Sequence, residues 1–300
     1  MKVLITGGSG FLGSHVADAV TAAGHEAVIF DLQPSPWLQP NQTMVVGSVL
    51  DYEAVKAAMQ GCQAVYHLAA LADINKAIHN PRDTIQINVM GTLNMLEAAR
   101  ELGLSRFIFA SSIYVYSNQG SFYRTSKQAC EHLIHDYHER FGLPFTVLRF
   151  GSLYGPRADE GNGLRRLLVQ ALTKRKIDYY GSGEEVREYI HIQDAAAMSV
   201  DVLADEFANQ FIHLTGRERM TSKDMLSMIK EIMGGEIELA LNNNGQHGHY
   251  MQTPYNYTPK LGKRLTRSTY IDLGLGLLDC LQELDQTGLD EDLIHIGGAP

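Results

Sequence analysis

Three hundred residues with 45% apolar content can bury a large core, as one big domain or two intimate ones. A net charge of −9 with no basic stretch excludes a surface that tracks a phosphate backbone, so nucleic acid is not an expected partner. No apolar run reaches the ~18–20 residues of a membrane span, so no membrane association is expected. Cys62, Cys130 and Cys280 lack metal-ligand spacing and read as reduced, packed thiols. Met1-Lys2 leads straight into a strand, without the pattern of a signal peptide. A cytoplasmic protein is the expectation.

The first strand, 2–6, is built on the apolar run Val3 to Ile5, and a helix over 11–23 carries Val16, Ala17, Ala19 and Val20. Between and within them stand Gly7, Gly10 and Gly13. Gly7 suits a tight turn, Gly10 lets backbone approach a pyrophosphate, and Gly13 permits close helix–strand packing. The amides of Phe11 and Leu12 would point at the anion from the helix N-terminus. A second strand, 26–30, leads to Asp31, eighteen residues beyond Gly13. A carboxylate there accepts from the ribose hydroxyls of NAD and repels the 2′-phosphate of NADP. No Arg or Lys lies between Leu32 and Gln42 to neutralise that phosphate. NAD is the expected cofactor; the other reading of Asp31 is a turn carboxylate ahead of Pro34-Ser35-Pro36.

Strands 43–46, 63–67, 105–110 and 145–150 alternate with helices 51–60, 80–102 and 123–141. Asp51 reads as the N-cap of the first of these helices. The alternation predicts an α/β protein with a Rossmann-type, doubly wound parallel sheet over residues 1–150. Within the last helix, Tyr123 and Lys127 stand one turn apart on one face. A free phenol titrates near ~10, and a neighbouring cation can lower that by roughly 1–3 units. The pair therefore suits general acid/base work on a hydroxyl that becomes a ketone.

After Gly151 the texture changes to Gly/Pro loops, a helix 162–173, a strand 177–180, and helices 193–204, 222–233 and 272–284. This predicts a smaller mixed α/β substrate domain, 151–285, partly interleaved with the first, and a frayed tail over 286–300. Asn242 to His249 is polar and contains Gly, so it reads as a loop. His247 and His249 have no carboxylate or thiolate nearby, and no metal is expected.

These residues resemble the extended short-chain dehydrogenase/reductase family, especially its NAD-dependent nucleotide-sugar epimerases and dehydratases, from residue 1 to about 285. Four further segments stand in family order. His67-Leu68-Ala69-Ala70 resembles the wall against the cofactor, and Asn88-Val89-Met90-Gly91-Thr92 a stretch early in a long helix. Ser111 to Tyr116 is similar to the strand end that carries the catalytic Ser or Thr. Leu148 to Arg157, with Phe150 and Ser152, is similar to the segment leading into the sugar-nucleotide site. The resemblance implies a nucleotide-diphosphate sugar as ligand, with Leu68, Ala69, Ala70, Asn88 and Phe150 against NAD and Ser48 and Val49 near adenine. It implies that Tyr123 removes the C4 hydroxyl proton as hydride leaves C4, that Lys127 holds the ribose and lowers the phenol's pKa, and that Ser112 hydrogen-bonds the reacting oxygen. Arg187, inside Gly181 to Tyr189, is the first candidate for the diphosphate, since guanidinium matches phosphate bidentately. Arg157 and Arg165 are further candidates. His191 to Asp194 resembles the start of the following helix, with Asp194 in its first turn.

The residues after Ser112 separate reaction branches. Family dehydratases and decarboxylases carry carboxylates there, and the GDP-fucose synthase branch a Cys; this chain has Ile113 and Tyr114. By elimination the implied chemistry is oxidation and reduction at C4, with net epimerisation and net dehydrogenation both open. Ile113 and Tyr114 would border the sugar, Tyr114 as an extra donor or as an aromatic wall. Only ten residues lie between Ser112 and Tyr123, fewer than in the epimerases, which predicts a more open sugar pocket. Ser152 stands for a phosphate-contacting Asn, Ser48 for an adenine-contacting Asp, and Ala72 for a Lys of some 4-epimerases. The helices 80–102 and 123–141 pair in most family dimers, so a homodimer is implied. Leu93, Leu96, Leu133 and Tyr137 either face a partner there or pack in the core.

Overall fold

Runs of consecutive buried apolar residues make the central strands, as a sheet covered on both faces requires. The computed structural model describes residues 1–217, 219–242 and 249–254. In chain order β1 is Lys2–Thr6, α1 Phe11–Ala22, β2 Glu26–Asp31, β3 Gln42–Val46, α2 Tyr52–Met59, β4 Ala64–His67 and α3 Ile74–His79. Next come α4 Pro81–Ile85, a π turn Gln86–Met90, α5 Gly91–Glu101, β5 Arg106–Ser112, a short 3-10 turn Ile113–Tyr116, α6 Ser121–Phe141 and β6 Phe145–Phe150. The second half holds β7 Ser152–Tyr154, α7 Gly163–Lys174, β8 Lys176–Tyr180, β9 Val186–His191, α8 Ile192–Asp201, β10 Gln210–Leu214, β11 Arg219–Thr221, α9 Ser222–Ile232 and β12 Glu238–Asn242.

The main sheet has the order β10-β6-β5-β4-β1-β2-β3, with parallel pairing throughout. The order reverses between β1 and β4, so a crevice opens at their carboxyl ends. One apolar cluster, with Phe30, Met95, Leu96, Phe107 and Ile134, packs α2, α5 and α6 on one face. Another, with Val16, Val20, Tyr66, Ile108 and Ala195, packs α1 and α8 on the other. A third, around Ile177, Tyr179, Leu226 and Ile229, joins α7 and α9 to the short pair β8 and β12. Leu96 and Tyr137 are buried in the first cluster, and Leu93 and Leu133 pack against it. Core packing therefore accounts for all four.

Several elements differ from the sequence expectation. The helix expected over 80–102 contains a π turn, and a separate helix, α3, precedes it. Pro81 causes the break, because it cannot continue α3 but suits the first turn of α4. β5 runs two residues beyond 110, to Ser112. β7, β9, β10, β11 and β12 had no sequence signal strong enough to assign, being short or only partly buried. β10 pairs with β6 and so returns chain from the second half to the main sheet. The expected helix 272–284, the tail 286–300 and most of the loop 242–249 lie outside the described residues. Among the described residues no helix is long and apolar enough to cross a membrane, and no group of His, Cys, Asp or Glu could hold a metal.

Candidate active site

A cleft of roughly 950 Å³ runs from the β1–α1 turn to α7 and β9. At its first end Gly7 adopts φ +70°, and a Cβ there would lie 2.8 Å from the Ala69 nitrogen. A Cβ on Gly13 would lie 2.1 Å from the Gly7 oxygen. Both are glycine because of the protein's own packing. Gly10 is different: its Cβ would meet only the Gly7 oxygen, at 3.3 Å, and its open side lines the cleft. Phe11 and Leu12 follow at the free N-terminus of α1, with no side-chain cap on its amides. That is a cradle shaped for a phosphate anion.

Asp31, at the end of β2, lines the same end. Its carboxylate accepts from the Ser9 amide at 3.0 Å and the Gln33 amide at 3.4 Å. It thus steadies both the glycine loop and its own turn, as the turn reading of this residue expects. Ser48, Val49, Leu68, Ala69, Ala70 and Phe150 all line the cleft. Beneath them His67 sits between Thr6 Oγ1 at 2.8 Å and Thr92 Oγ1 at 3.0 Å, and burial pushes its pKa down to about 3. Asn88 does not reach the cleft. Its amide turns inward to hold the Leu71 backbone at 2.7 and 3.2 Å and Ser126 Oγ at 2.9 Å. The π turn that carries Asn88 aims it there, bracing the loop beside the wall instead of meeting a ligand.

At the centre, Ser112 ends β5, and Tyr123 and Lys127 rise from the first turns of α6; all three line the cleft. Ser112 hydrogen-bonds Tyr123. Burial pushes the Tyr123 phenol up to about 12, with the Ser112 bond pulling the other way. The expected lowering by Lys127 is therefore not a property of the protein alone. The ammonium lies 5.9 Å from the Tyr123 ring centroid and donates to the Ala110 carbonyl at 2.6 Å. Its own burial pushes it down to about 8. Desolvation outweighs attraction for both groups. Behind them Ser111 donates to Glu131 at 2.5 Å, and Glu131 receives Arg149 through two bonds, which anchors the strand end.

At the far end, Arg187 and Ser152 line the cleft, and the Arg187 guanidinium lies over the Tyr250 ring, 4.3 Å from its centroid. Arg157 and Arg165 are not there. Arg157 pairs with Asp18 at 2.8 Å, covers Trp37, and borders a separate small pocket together with Arg165. Helical phase explains the second departure: Gly163, Arg166, Leu167 and Gln170 form the cleft face of α7, and Arg165 points elsewhere. Ile113 is almost fully buried, while Tyr114 is half-buried and meets His249. Arg166, His249 and Tyr250 were not anticipated as site residues. No local pattern signals them, since only long-range packing brings them to the cleft.

A doubly wound sheet with a glycine turn, a carboxylate at the end of β2 and a Ser/Tyr/Lys cluster lining one cleft defines a dinucleotide-binding enzyme fold. Residues 3–212 match the NAD dependent epimerase/dehydratase family, and the chain belongs to it, within the extended short-chain dehydrogenases/reductases. Its cofactor is NAD. The chain is 28% identical over 267 residues to an uncharacterized UDP-glucose epimerase of Bacillus subtilis, covering 80% of this chain and 84% of that one. It is 25% identical to UDP-glucuronic acid decarboxylase 1 of Arabidopsis thaliana over 296 residues, 88% of this chain and 67% of the relative. Among solved structures, UDP-glucose 4-epimerase of Thermotoga maritima with UDP-glucose superposes with a TM-score of 0.78 at 26% identity, covering 86% of this chain and 90% of the other. UDP-glucuronic acid 4-epimerase of Bacillus cereus, in complex with UDP-glucuronic acid and NAD, gives 0.78 at 25% identity, over 87% and 95%.

Proposed function

We propose that the protein is a nucleotide-sugar 4-epimerase working through a transient 4-keto sugar. The observation that carries this reading is the Ser112–Tyr123 pair in the cleft, followed by Ile113 and Tyr114 where a dehydratase or decarboxylase would need a carboxylate. Bound NAD supplies the hydride acceptor at C4 and a cationic ring whose field favours the Tyr123 phenolate. Tyr123 takes the C4 hydroxyl proton, Ser112 orients that oxygen, and Lys127 holds the ribose. Gly10, Phe11 and Leu12 present backbone to the pyrophosphate and Asp31 accepts from the ribose. Arg187 is the partner for the substrate diphosphate, with Ser152 beside it. Similarity to proteins named for UDP-sugars makes UDP-glucose and UDP-glucuronic acid the first substrates to try.

The second reading is a C4 dehydrogenase or ketoreductase that releases the keto product. It is favoured by the short Ser112–Tyr123 connection of ten residues, from which a more open sugar pocket is expected. Incubating the NAD-loaded protein with each UDP-sugar separates the two. An epimerase forms the C4 epimer with no net NADH and no need for added NAD. Stoichiometric NADH together with a released 4-keto sugar would overturn the epimerase reading.

A further inference from the structure

Tyr114 and His249 form a hydrogen-bonded pair on the cleft that the C4 redox step does not use. The Tyr114 hydroxyl lies 2.7 Å from His249 Nδ1. Both side chains line the cleft, and the Tyr114 and Tyr123 rings meet edge to face at 6.3 Å. Tyr250 also packs against Tyr114, with 4.6 Å between the ring centroids. A second pair, Tyr116 and His213, has similar chemistry at 3.0 Å but stands outside the cleft, against Arg149. The cleft position of Tyr114 and His249 is therefore the feature that matters.

The surroundings favour a neutral imidazole. Burial pushes the His249 pKa down, Arg187 from β9 and Arg166 from α7 push the same way, and Asp73, the N-cap of α3, opposes them. A neutral ring whose Nδ1 accepts the Tyr114 proton keeps its own proton on Nε2.

We infer that Tyr114 and His249 are a second acid/base pair, which exchanges a carbon-bound proton next to the carbonyl of the 4-keto sugar. The inference rests on the 4-keto reading of the site. A hydrogen on C3 or C5 is acidic only while C4 is a ketone. The C–H bond breaks, and its electron pair becomes the C=C bond of an enolate as the carbonyl pair moves onto oxygen. The proton goes to the Tyr114 oxygen as the phenolic proton passes to His249 Nδ1. Ser112 and the protonated Tyr123 donate to the enolate oxygen. Return of a proton along the same path restores the ketone, and no electrons are gained or lost overall. Return to the opposite face would invert that carbon, adding a stereochemical outcome to the one at C4.

The test supplies the ketone ready-made, so exchange is read whether or not the C4 hydride step occurs. The NAD-loaded full chain is incubated with UDP-4-keto-6-deoxyglucose in deuterium oxide, and deuterium at C3 and C5 is followed by NMR against buffer alone. Enzyme-dependent exchange is expected, falling roughly 10²-fold in both Tyr114→Phe and His249→Gln, with thermal unfolding and NAD binding recorded for each variant. Exchange no faster than in buffer overturns the proposal, as does exchange within about threefold of the parent in both folded variants. Failure of the 4-epimerase reading shows separately, as the absence of C4 epimer from UDP-glucose and UDP-glucuronic acid.

Discussion

The two ends of the cleft are built differently. The glycine-loop end is built around backbone from one contiguous stretch, Gly7 to Gly13, with Asp31 and the wall Leu68 to Ala70 beside it and buried Thr6, His67 and Asn88 as braces. The far end consists of side chains from the 3-10 turn Ile113–Tyr116, β7, α7 and β9 and from His249 and Tyr250, with aromatic and cation–π contacts among them. A backbone cradle suits a ligand common to a whole family, whereas side chains on separate elements can change one at a time to suit a particular sugar. One sheet can thus carry a site made of backbone beside a site made of separately replaceable side chains.

The largest expected effect falls where the two ends meet. Tyr123→Phe removes the proposed proton acceptor and should lower C4 turnover ~10²–10⁴-fold while NAD stays bound. Steady-state rates and NAD content check this. Near-parent turnover would move the base elsewhere, with Tyr114 first in line.

Two glycine variants sharpen the contrast at the glycine-loop end. Gly13→Ala would drive a methyl to within 2.1 Å of the Gly7 oxygen, so the turn must deform and bound NAD should be lost outright. Gly10→Ala meets only one atom at 3.3 Å, so folding should change by less than about 1 kcal/mol while NAD affinity falls. Unfolding midpoints and NAD titrations distinguish them. Equal behaviour of the two would break the division between packing glycine and ligand glycine.

Asp31→Ala should lower NAD affinity by roughly 10–100-fold, as loss of a hydrogen bond to a charged group predicts, and relax the preference over NADP. Because Asp31 also holds the Ser9 amide, part of the loss should appear as a looser turn. Tighter binding of NADP than NAD by the parent protein would contradict the assigned role.

The smallest effect concerns the brace. His67 has a folded pKa of about 3, below the ~6.5 of an unfolded chain. The unfolded chain takes up the proton first, so this contribution is complete above about pH 6.5 and is lost as pH falls toward 3. At pH 5 the loss should be about 2 kcal/mol. Urea midpoints at pH 7 and pH 5 measure it. A His67→Gln variant should be less stable at pH 7 but lose less stability between the two values. An unchanged pH response would remove His67 as the source.

The glycine turn, the carboxylate that ends β2, the Tyr/Lys spacing and the parallel sheet were legible in the sequence, because each depends on local backbone geometry or on a period of apolar residues. Gly7, Gly10 and Gly13 mark a turn wherever they stand between strand and helix. What a side chain meets is set by chain far away, and there only the tertiary structure decided. It turned Asn88 into a brace, tied Arg157 to Asp18, put Arg166 and not Arg165 on the cleft face of α7, and brought His249 to Tyr114. It also reversed the expected pKa of Tyr123, because spacing along a helix fixes the distance to Lys127 but not the water that burial removes from both.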